Sequence, residues 1–178
     1  MNEIIKKNGV TFGIVTGIVS VLITTLIYTI DLKLFMAWWL GVVNIIIYIS
    51  IGVYLLLKTK KELNGVFPFK DAFTTYFISA VIGILIGVAF NIILFNYIDP
   101  AAKDTIKEMT MKFAVGMMEK FNAPKEAVAQ AIKDMQANDP YSVGQLLKGS
   151  IFTIAFSALF GLILAAIFKS KSPSSQGL

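Results

Sequence analysis

Long apolar runs alternate with short charged segments along most of this chain. Four runs contain no Lys, Asp or Glu and cover residues 9–30, 34–57, 74–98 and 150–168. A helix of about 20 apolar residues crosses the roughly 30 Å hydrocarbon core of a bilayer. Each run is about that long. The pattern therefore predicts an all-α integral membrane protein with four transmembrane helices.

The segment between the third and fourth runs has a different pattern. Asp99 can cap a helix that begins at Pro100, where the missing amide hydrogen costs nothing. Apolar residues then recur at steps of three and four, as in an amphipathic helix. They are Ile106, Met109, Phe113, Met117 and Phe121. This face can fold back on the protein, lie on the membrane or dock on a partner protein, and we carry the partner-facing hypothesis forward.

A second amphipathic helix follows the first. Pro124 interrupts the first helix, and Pro140 ends the second. Ser142 and Gln145 form a capping box, which starts the fourth membrane helix. The sequence therefore predicts three parts. They are residues 1–98 with three membrane helices, residues 99–141 as an exoplasmic helical hairpin, and residues 142–178 with the fourth helix and a cytoplasmic tail.

Composition agrees with a membrane protein and removes most catalytic chemistry. Apolar residues make up 56% of the chain, and the mean hydropathy is +0.74, more than a soluble domain of this size can bury. The chain has neither Cys nor His, the usual nucleophiles, bases and soft-metal ligands. All of its basic residues are Lys, so no Arg guanidinium can bind a phosphate through two parallel hydrogen bonds. We predict no enzyme activity, no catalytic residue, no metal or cofactor site and no nucleic-acid partner.

Lysines in short loops predict the orientation of the helices, because the positive side stays in the cytoplasm. On one side of a four-span arrangement lie Lys6, Lys7, Lys58, Lys60, Lys61, Lys70, Lys169 and Lys171. On the other side, the lysines of residues 99–141 are balanced by Asp and Glu. We predict cytoplasmic termini. Amphipathic rings are expected at the outer interface, namely Tyr28, Trp38, Trp39, Tyr97 and Tyr141.

Small residues line one side of three of the four helices, at every fourth position. The strips are Gly9, Gly13 and Gly17; Ser79, Gly83 and Gly87; and Gly149, Thr153, Ser157, Gly161 and Ala165. Such strips let two helix backbones approach closely. We predict that they pack the helices of one bundle. An interface between separate molecules is the alternative.

Polar groups inside the spans are few and uncharged. Asn44 lies in the second span and Asn91 in the third. A pump or proton relay normally needs an ionisable group within the membrane, and the spans have none. We predict a hydrogen bond between the two amides, with a permeation or substrate site for a neutral or lipid molecule as the alternative.

The stretch GVFPFKDAF, residues 65–73, leads into the third span. Phe67, Phe69 and Phe73 are placed to enter the headgroup boundary while Lys70 stays among lipid phosphates. We predict that this stretch anchors the protein at the interface. Docking of a lipid headgroup or a partner is the alternative.

Two short motifs resemble a known family. GVFPFKDAF before the third span and YIDPAA after it, in a four-span chain of this length, are similar to the bacterial family of domain of unknown function 4199. The matching positions are Phe69, Ala72, Phe73, Ile98, Asp99 and Pro100. The resemblance covers nearly the whole chain. It implies a small bacterial inner-membrane protein without an established activity, encoded near polyprenyl-phosphate sugar transferases.

The favoured hypothesis from the sequence is a non-enzymatic accessory or scaffold subunit of the inner membrane. It would lie in the lipid bilayer and present its hairpin to a membrane or exoplasmic partner protein. One alternative is a component of a small-molecule or lipid transporter or channel. Another is a membrane partner of a polyprenyl-phosphate glycosyltransferase. The sequence leaves a homo-oligomer open.

Overall fold

The structure is a computed structural model that describes residues 2–170, and helices make up most of that range. The α-helices are α1 (Glu3–Ile30), α2 (Trp38–Glu62), α3 (Phe69–Ile93), α4 (Pro100–Lys120), α5 (Lys125–Ala137) and α6 (Val143–Phe168). A 3-10 turn, Leu32–Met36, joins α1 to α2, and a π-helical turn, Leu94–Ile98, extends α3. Lys171, one of the lysines used to predict orientation, lies outside the described residues.

Four of these helices are long and apolar enough to cross a membrane: α1, α2, α3 with its π-helical turn, and α6. The prediction of an all-helical, multi-pass membrane protein is therefore confirmed. Three of the helices begin several residues before the apolar runs, at Glu3, Phe69 and Val143. The polar flanks continue the helix because side-chain or turn caps lie further out, as where Asn2 accepts a hydrogen bond from the Ile4 N–H.

The four long helices share two ends. We call the end where α1 and α3 begin and α2 and α6 finish the lysine end, after its lysines. We call the opposite end the insert end, because residues 99–141, the insert, lie there between α3 and α6. Helix α3 is central and packs along both α1 and α6.

A compact core closes the lysine end. It contains Leu56 of α2, Phe67, Ala72 of α3, and Leu164 and Ala165 of α6. Phe67 is fully buried there, so the prediction that Phe67 anchors the protein in lipid is wrong. The chain reverses through Asn64 and Gly65, both at positive φ, and this turn sends Phe67 back into the protein.

The insert packs on the end of α3. Asp99 caps α4 by accepting a hydrogen bond from the Ala102 N–H at 3.0 Å, as the sequence predicts. Ala102 and Ile106 are buried against Leu94 and Phe95 of the π-helical turn. Lys103 of α4 pairs with Asp139 after α5 at 2.9 Å, which holds the two ends of the insert together.

The face of α4 that the sequence assigns to a partner is buried in its first turns and exposed further along. Ile106 is 2% exposed and Met109 packs on the same cluster, so the prediction that these two face a partner is wrong. They are covered because the first turns of α4 lie against the π-helical turn and the 3-10 turn. Phe113, Met117 and Phe121, further along α4, are exposed.

Candidate functional site: a cleft inside the bundle

The small residues of α1 and α3 face each other in one tight interface. A methyl group added to Gly13 would lie 2.7 Å from Cβ of Ile82, and one added to Gly17 would lie 2.6 Å from Cβ of Ile86. In the same interface, Thr16 and Ser20 of α1 lie against the α3 glycines Gly83 and Gly87. Gly9 meets Ile78 in the same way, and Ser79 is buried beside this interface. These two strips pack helices within the chain, where close approach gains dispersion contacts.

The small-residue strip on α6 is packed at one end and open at the other. Toward the lysine end, Ala165 is fully buried and Gly161 lies against Tyr76, whose Cδ1 would be 2.7 Å from an added methyl group. Toward the insert end, Gly149 has no neighbouring atom within 4 Å of an added methyl group. Thr153 is exposed as well. This part of α6 therefore faces open space instead of another helix.

The open space is a cleft of about 540 Å³ between α2 and α6, with α3 and part of α1 behind it. Its lining is mainly apolar and includes Ile45, Ile49, Ala80, Ile84, Val88, Phe156 and Phe160. Hydroxyl and amide groups are interspersed: Thr16, Ser20, Tyr48, Ser79, Asn91, Gln145, Ser150, Thr153 and Ser157. None of the described residues that line it is Lys, Asp or Glu. We call this cavity the cleft.

The cleft exists because α2 packs at only one of its ends. Its buried residues all lie toward the lysine end, from Gly52 onward, and none lies between Trp38 and Ile51. Leu56 joins Leu164 in the core there. The ring of Tyr76 fills the gap between Gly52 and Gly161 and ends the cleft on that side.

Four of the polar groups in the cleft donate to carbonyls of their own helices, namely Thr16, Asn91, Ser150 and Thr153. The Thr153 hydroxyl donates to the Gly149 carbonyl at 3.0 Å, and Ser150 donates to Leu147 at 2.7 Å. Because these hydroxyl hydrogens are already bonded within the helix, the side chains present the cavity with mainly apolar surface and a few hydrogen-bond acceptors. The Ser157 hydroxyl reaches the Tyr76 hydroxyl at 3.5 Å.

The two amides do not bond to each other. Asn91 donates to the Gly87 carbonyl of its own helix at 2.8 Å. The side-chain oxygen of Asn44 is buried and has no hydrogen-bond partner among the described residues. The predicted bond between Asn44 and Asn91 is therefore wrong, because Asn91 lines the cleft whereas Asn44 lines a different cavity.

That second cavity has a volume of about 490 Å³ and lies between α1 and α2 at the insert end. Besides Asn44 it is lined by Thr24, Ile27, the 3-10 turn and Trp38. Ser20 and Tyr48 line both cavities, so the two spaces adjoin. We call this one the α1–α2 cavity.

The end of the insert borders the cleft at the insert end of the bundle. Pro140 belongs to the lining, and the neighbouring Tyr141 packs its ring 4.6 Å from that of Phe95. Asn96 of the π-helical turn donates to the Tyr141 carbonyl at 2.9 Å. Burial alone would raise the pKa of Asp139, but hydrogen bonds from Lys103 and the Tyr141 N–H outweigh it and hold that pKa below its ordinary value.

The family-motif positions lie away from the cleft and support the two ends of the bundle. Ala72 is fully buried at the lysine end, where Phe73 packs against it. Phe69 is partly exposed. At the insert end, Ile98 is exposed, and Asp99 and Pro100 begin α4. The Tyr28 hydroxyl donates to Asp99 at 2.8 Å and, with the Ala102 N–H, holds the pKa of Asp99 below its ordinary value.

One polar contact at the lysine end was missed by the sequence reasoning. Asn8 is buried and its amide donates to Thr59 at 3.2 Å and to Glu62 at 2.7 Å. This contact joins α1 to α2. The available signal was the position of Asn8, which shares the packed face of α1 with Gly9 and Phe12. Among the described residues, no group of three or more carboxylates could hold a metal ion.

Comparison with known proteins gives a family and no further relative. No curated protein and no solved structure matches the chain. Residues 11–170 match the family described as a protein of unknown function, DUF4199. The match spans all four membrane helices, the insert and both sequence motifs, and this chain therefore belongs to the DUF4199 family.

Proposed function

We propose that this protein is a non-enzymatic membrane protein that binds a neutral, lipid-like molecule in the cleft between α2 and α6. The observation that carries the proposal is a cavity of about 540 Å³ within the apolar part of the bundle and without a charged side chain in its lining. Small-molecule sites are commonly cavities of about 300–1,000 Å³ with mainly apolar walls and a few polar groups. The cleft has that size and that lining.

The charge of the cleft favours a neutral ligand. A phosphate or ammonium group inside the cavity would lose its hydration and meet no opposite charge, which is costly in an apolar environment. Hydroxyl and amide side chains can instead orient an ester or hydroxyl group. The ligand is therefore an uncharged amphiphile, or the uncharged part of a larger one.

Access from the bilayer supports a lipid over a water-soluble compound. Thr153 and Phe156 of α6 are exposed at the cleft, and the cavity is partly open. A molecule already dissolved in the membrane can enter sideways between α2 and α6. A hydrophilic solute that entered from the insert end would have to pass Pro140, which lines the cleft there.

Binding is tested with purified protein in mild detergent and a monoacylglycerol that carries a pyrene-labelled chain. Gly149→Leu extends a side chain into the cleft from a position with free space around it. Gly144→Leu is the matched control, because Gly144 lies on the same helix, also has free space, and is not part of the lining. We expect Gly149→Leu to weaken binding about ten-fold or more and Gly144→Leu to leave it unchanged.

Absence of saturable binding by the wild-type protein would reject the cleft as a lipid site. Equal weakening by both leucine variants would do the same, because it would place the effect on helix α6 as a whole. Mass spectrometry of the neutral lipids that co-purify with each variant gives an independent measure.

The orientation we propose has both termini in the cytoplasm of a bacterium, the four helices in its inner membrane and the insert as an exoplasmic hairpin. The lysines at one end of the bundle support it. The chain has no Cys, so Lys60→Cys and Met118→Cys each provide a single thiol. A membrane-impermeant maleimide on spheroplasts should label Met118→Cys alone. Labelling of Lys60→Cys alone would reverse the proposed orientation.

A second candidate function is the presentation of the insert to a partner protein, as an accessory or scaffold subunit. The exposed row of Phe113, Met117 and Phe121 supports it, since these side chains are 58%, 40% and 77% exposed on an element with balanced charge. A polyprenyl-phosphate glycosyltransferase of the same membrane is one such partner. The test is cross-linking to that enzyme with wild-type protein and with Phe113→Ser/Phe121→Ser. Equal yields from both would reject this row as the contact.

A further inference from the structure

We propose that the α1–α2 cavity is a polar subsite that recognises the hydroxyl group of the neutral lipid bound in the cleft. This inference rests on the proposed function and specifies the ligand class further. It follows from the arrangement of the two cavities and from the one buried side-chain polar atom of the described residues that lacks a partner.

The two cavities adjoin at a shared pair of residues. Ser20 of α1 and Tyr48 of α2 line both. Each lies ten residues from the insert end of its helix, which is roughly 15 Å at 1.5 Å per residue. Asn44 lies one turn closer to that end and lines the α1–α2 cavity alone. A molecule in the cleft therefore meets this cavity across the Ser20–Tyr48 pair.

The side-chain oxygen of Asn44 needs a donor that the described residues do not supply. Three hydroxyl-bearing residues, Ser20, Thr24 and Tyr48, line the same cavity, and none of them reaches this oxygen. A buried acceptor without a donor is destabilising, most of all in hydrocarbon. This oxygen is itself buried, so a rotation of the Asn44 side chain has to present it to the cavity, where a ligand hydroxyl then removes the penalty. Because a hydroxyl both donates and accepts, it also suits the other orientation of the amide, in which the NH₂ group faces the cavity.

The lining also excludes other headgroups. Within residues 2–170 it contains no Lys, Asp or Glu, so a phosphate, carboxylate or ammonium group would be buried without an opposite charge. The subsite therefore suits a lipid whose polar group is an uncharged hydroxyl. Monoacylglycerols, diacylglycerols and long-chain alcohols have this chemistry.

The test compares two probes that differ only in that hydroxyl. One is a pyrene-labelled diacylglycerol, and the other is the same lipid with its hydroxyl acetylated. We expect the wild-type protein to bind the free hydroxyl about ten-fold more tightly, and Asn44→Leu to reduce this preference to less than about two-fold. Ser50→Leu is the control, because Ser50 lies on the same helix, is exposed and lines neither cavity. It should keep the full preference.

Each outcome separates the subsite from the cleft. Equal binding of the two probes by the wild-type protein overturns the subsite and leaves the cleft in place. An unchanged preference in Asn44→Leu also overturns it. Binding of neither probe overturns the proposed function itself. Asn44→Ala serves as the second variant, and thermal unfolding confirms that each variant is folded.

Discussion

Two helix pairs in this bundle carry small residues, yet one pair is closed along its length and the other is open. In the α1–α3 pair, branched side chains such as Ile82 and Ile86 fill the space over each glycine. In the α2–α6 pair, nothing lies over Gly149. The difference teaches that a small-residue strip closes an interface only where the facing helix supplies complementary side chains. Where it does not, the strip borders a cavity.

The same comparison explains why α2 has two different halves. Toward the lysine end, Gly52 lies against Tyr76, and Leu55 and Leu56 are fully buried. Toward the insert end, the cleft lies on one side of α2 and the α1–α2 cavity on the other. No residue of this half is buried. This half is the part of the bundle that can move most easily when a ligand enters.

The largest effect is expected where the closed pair is broken. In Gly13→Leu, the first added carbon alone would lie 2.7 Å from Cβ of Ile82 and 3.0 Å from the Ser79 carbonyl. We expect a loss of about 3 kcal/mol in the free energy of unfolding, because neither atom can move far. Denaturation in SDS, followed by circular dichroism, measures it. Gly149→Leu in the open pair should change stability by less than about 0.5 kcal/mol, and equal losses would contradict the comparison.

A smaller effect is expected from opening the lysine end. Asn8→Leu removes the donor to Thr59 and Glu62. We expect a loss of about 2 kcal/mol, because buried acceptors are left unpaired, reduced by the partial exposure of Glu62. The same denaturation experiment measures it. Ser50→Leu, at an exposed position of α2, is the control, and a neutral Asn8→Leu would show that the core there does not depend on this contact.

A still smaller effect is expected at the insert end. Lys103→Ala removes the pair with Asp139, whose side chains are 18% and 27% exposed. We expect about 0.5–1 kcal/mol, seen as faster hydrogen exchange in α5 and at Tyr141 with the four long helices unchanged. Lys112→Ala is the matched control, since its pair with Glu108 is exposed, at 71% and 60%. Equal exchange rates in both variants would show that the pair does not hold the top of the cleft.

The smallest effect concerns pH. The pKa of Asp99 is lowered in the folded protein, so its contribution is fully present above the ordinary value of 3.8 and is lost as pH falls through the lower folded value. Stability of the insert should therefore be constant from about pH 7 to pH 5 and decline below about pH 4. Hydrogen exchange of α4 measures it. Asp99→Asn should flatten part of this decline, and an identical profile would exclude Asp99 as its cause.

Much of the fold follows from local patterns in the sequence. Apolar runs and their charged flanks predicted the four long helices, and the caps at Asp99 and Ser142 predicted where α4 and α6 begin. These signals are local, because capping and hydrophobic periodicity depend on neighbours along the chain.

The cavities could not be predicted in the same way. The sequence of the α6 strip predicts a packing surface along its whole length. Only the tertiary structure shows that Gly161 packs while Gly149 does not. Burial of Phe67 likewise depends on a turn that returns the chain to α6. Asn44 and Asn91 line different cavities, because tertiary packing decides which helix lies opposite each side chain.

The protein is expected to tolerate insertions and deletions less well in the π-helical turn, Leu94–Ile98, than at the far end of the insert. A deletion of one residue within this turn would rotate everything beyond by roughly 100° about the helix axis. Asp99 would then point away from Tyr28, and Asn96 away from Tyr141. The connection at residues 121–124, between α4 and α5, carries no such contact with the bundle. Insertions and deletions are therefore expected at residues 121–124, the tip of the insert. The π-helical turn, where the insert begins, is expected to keep a constant length.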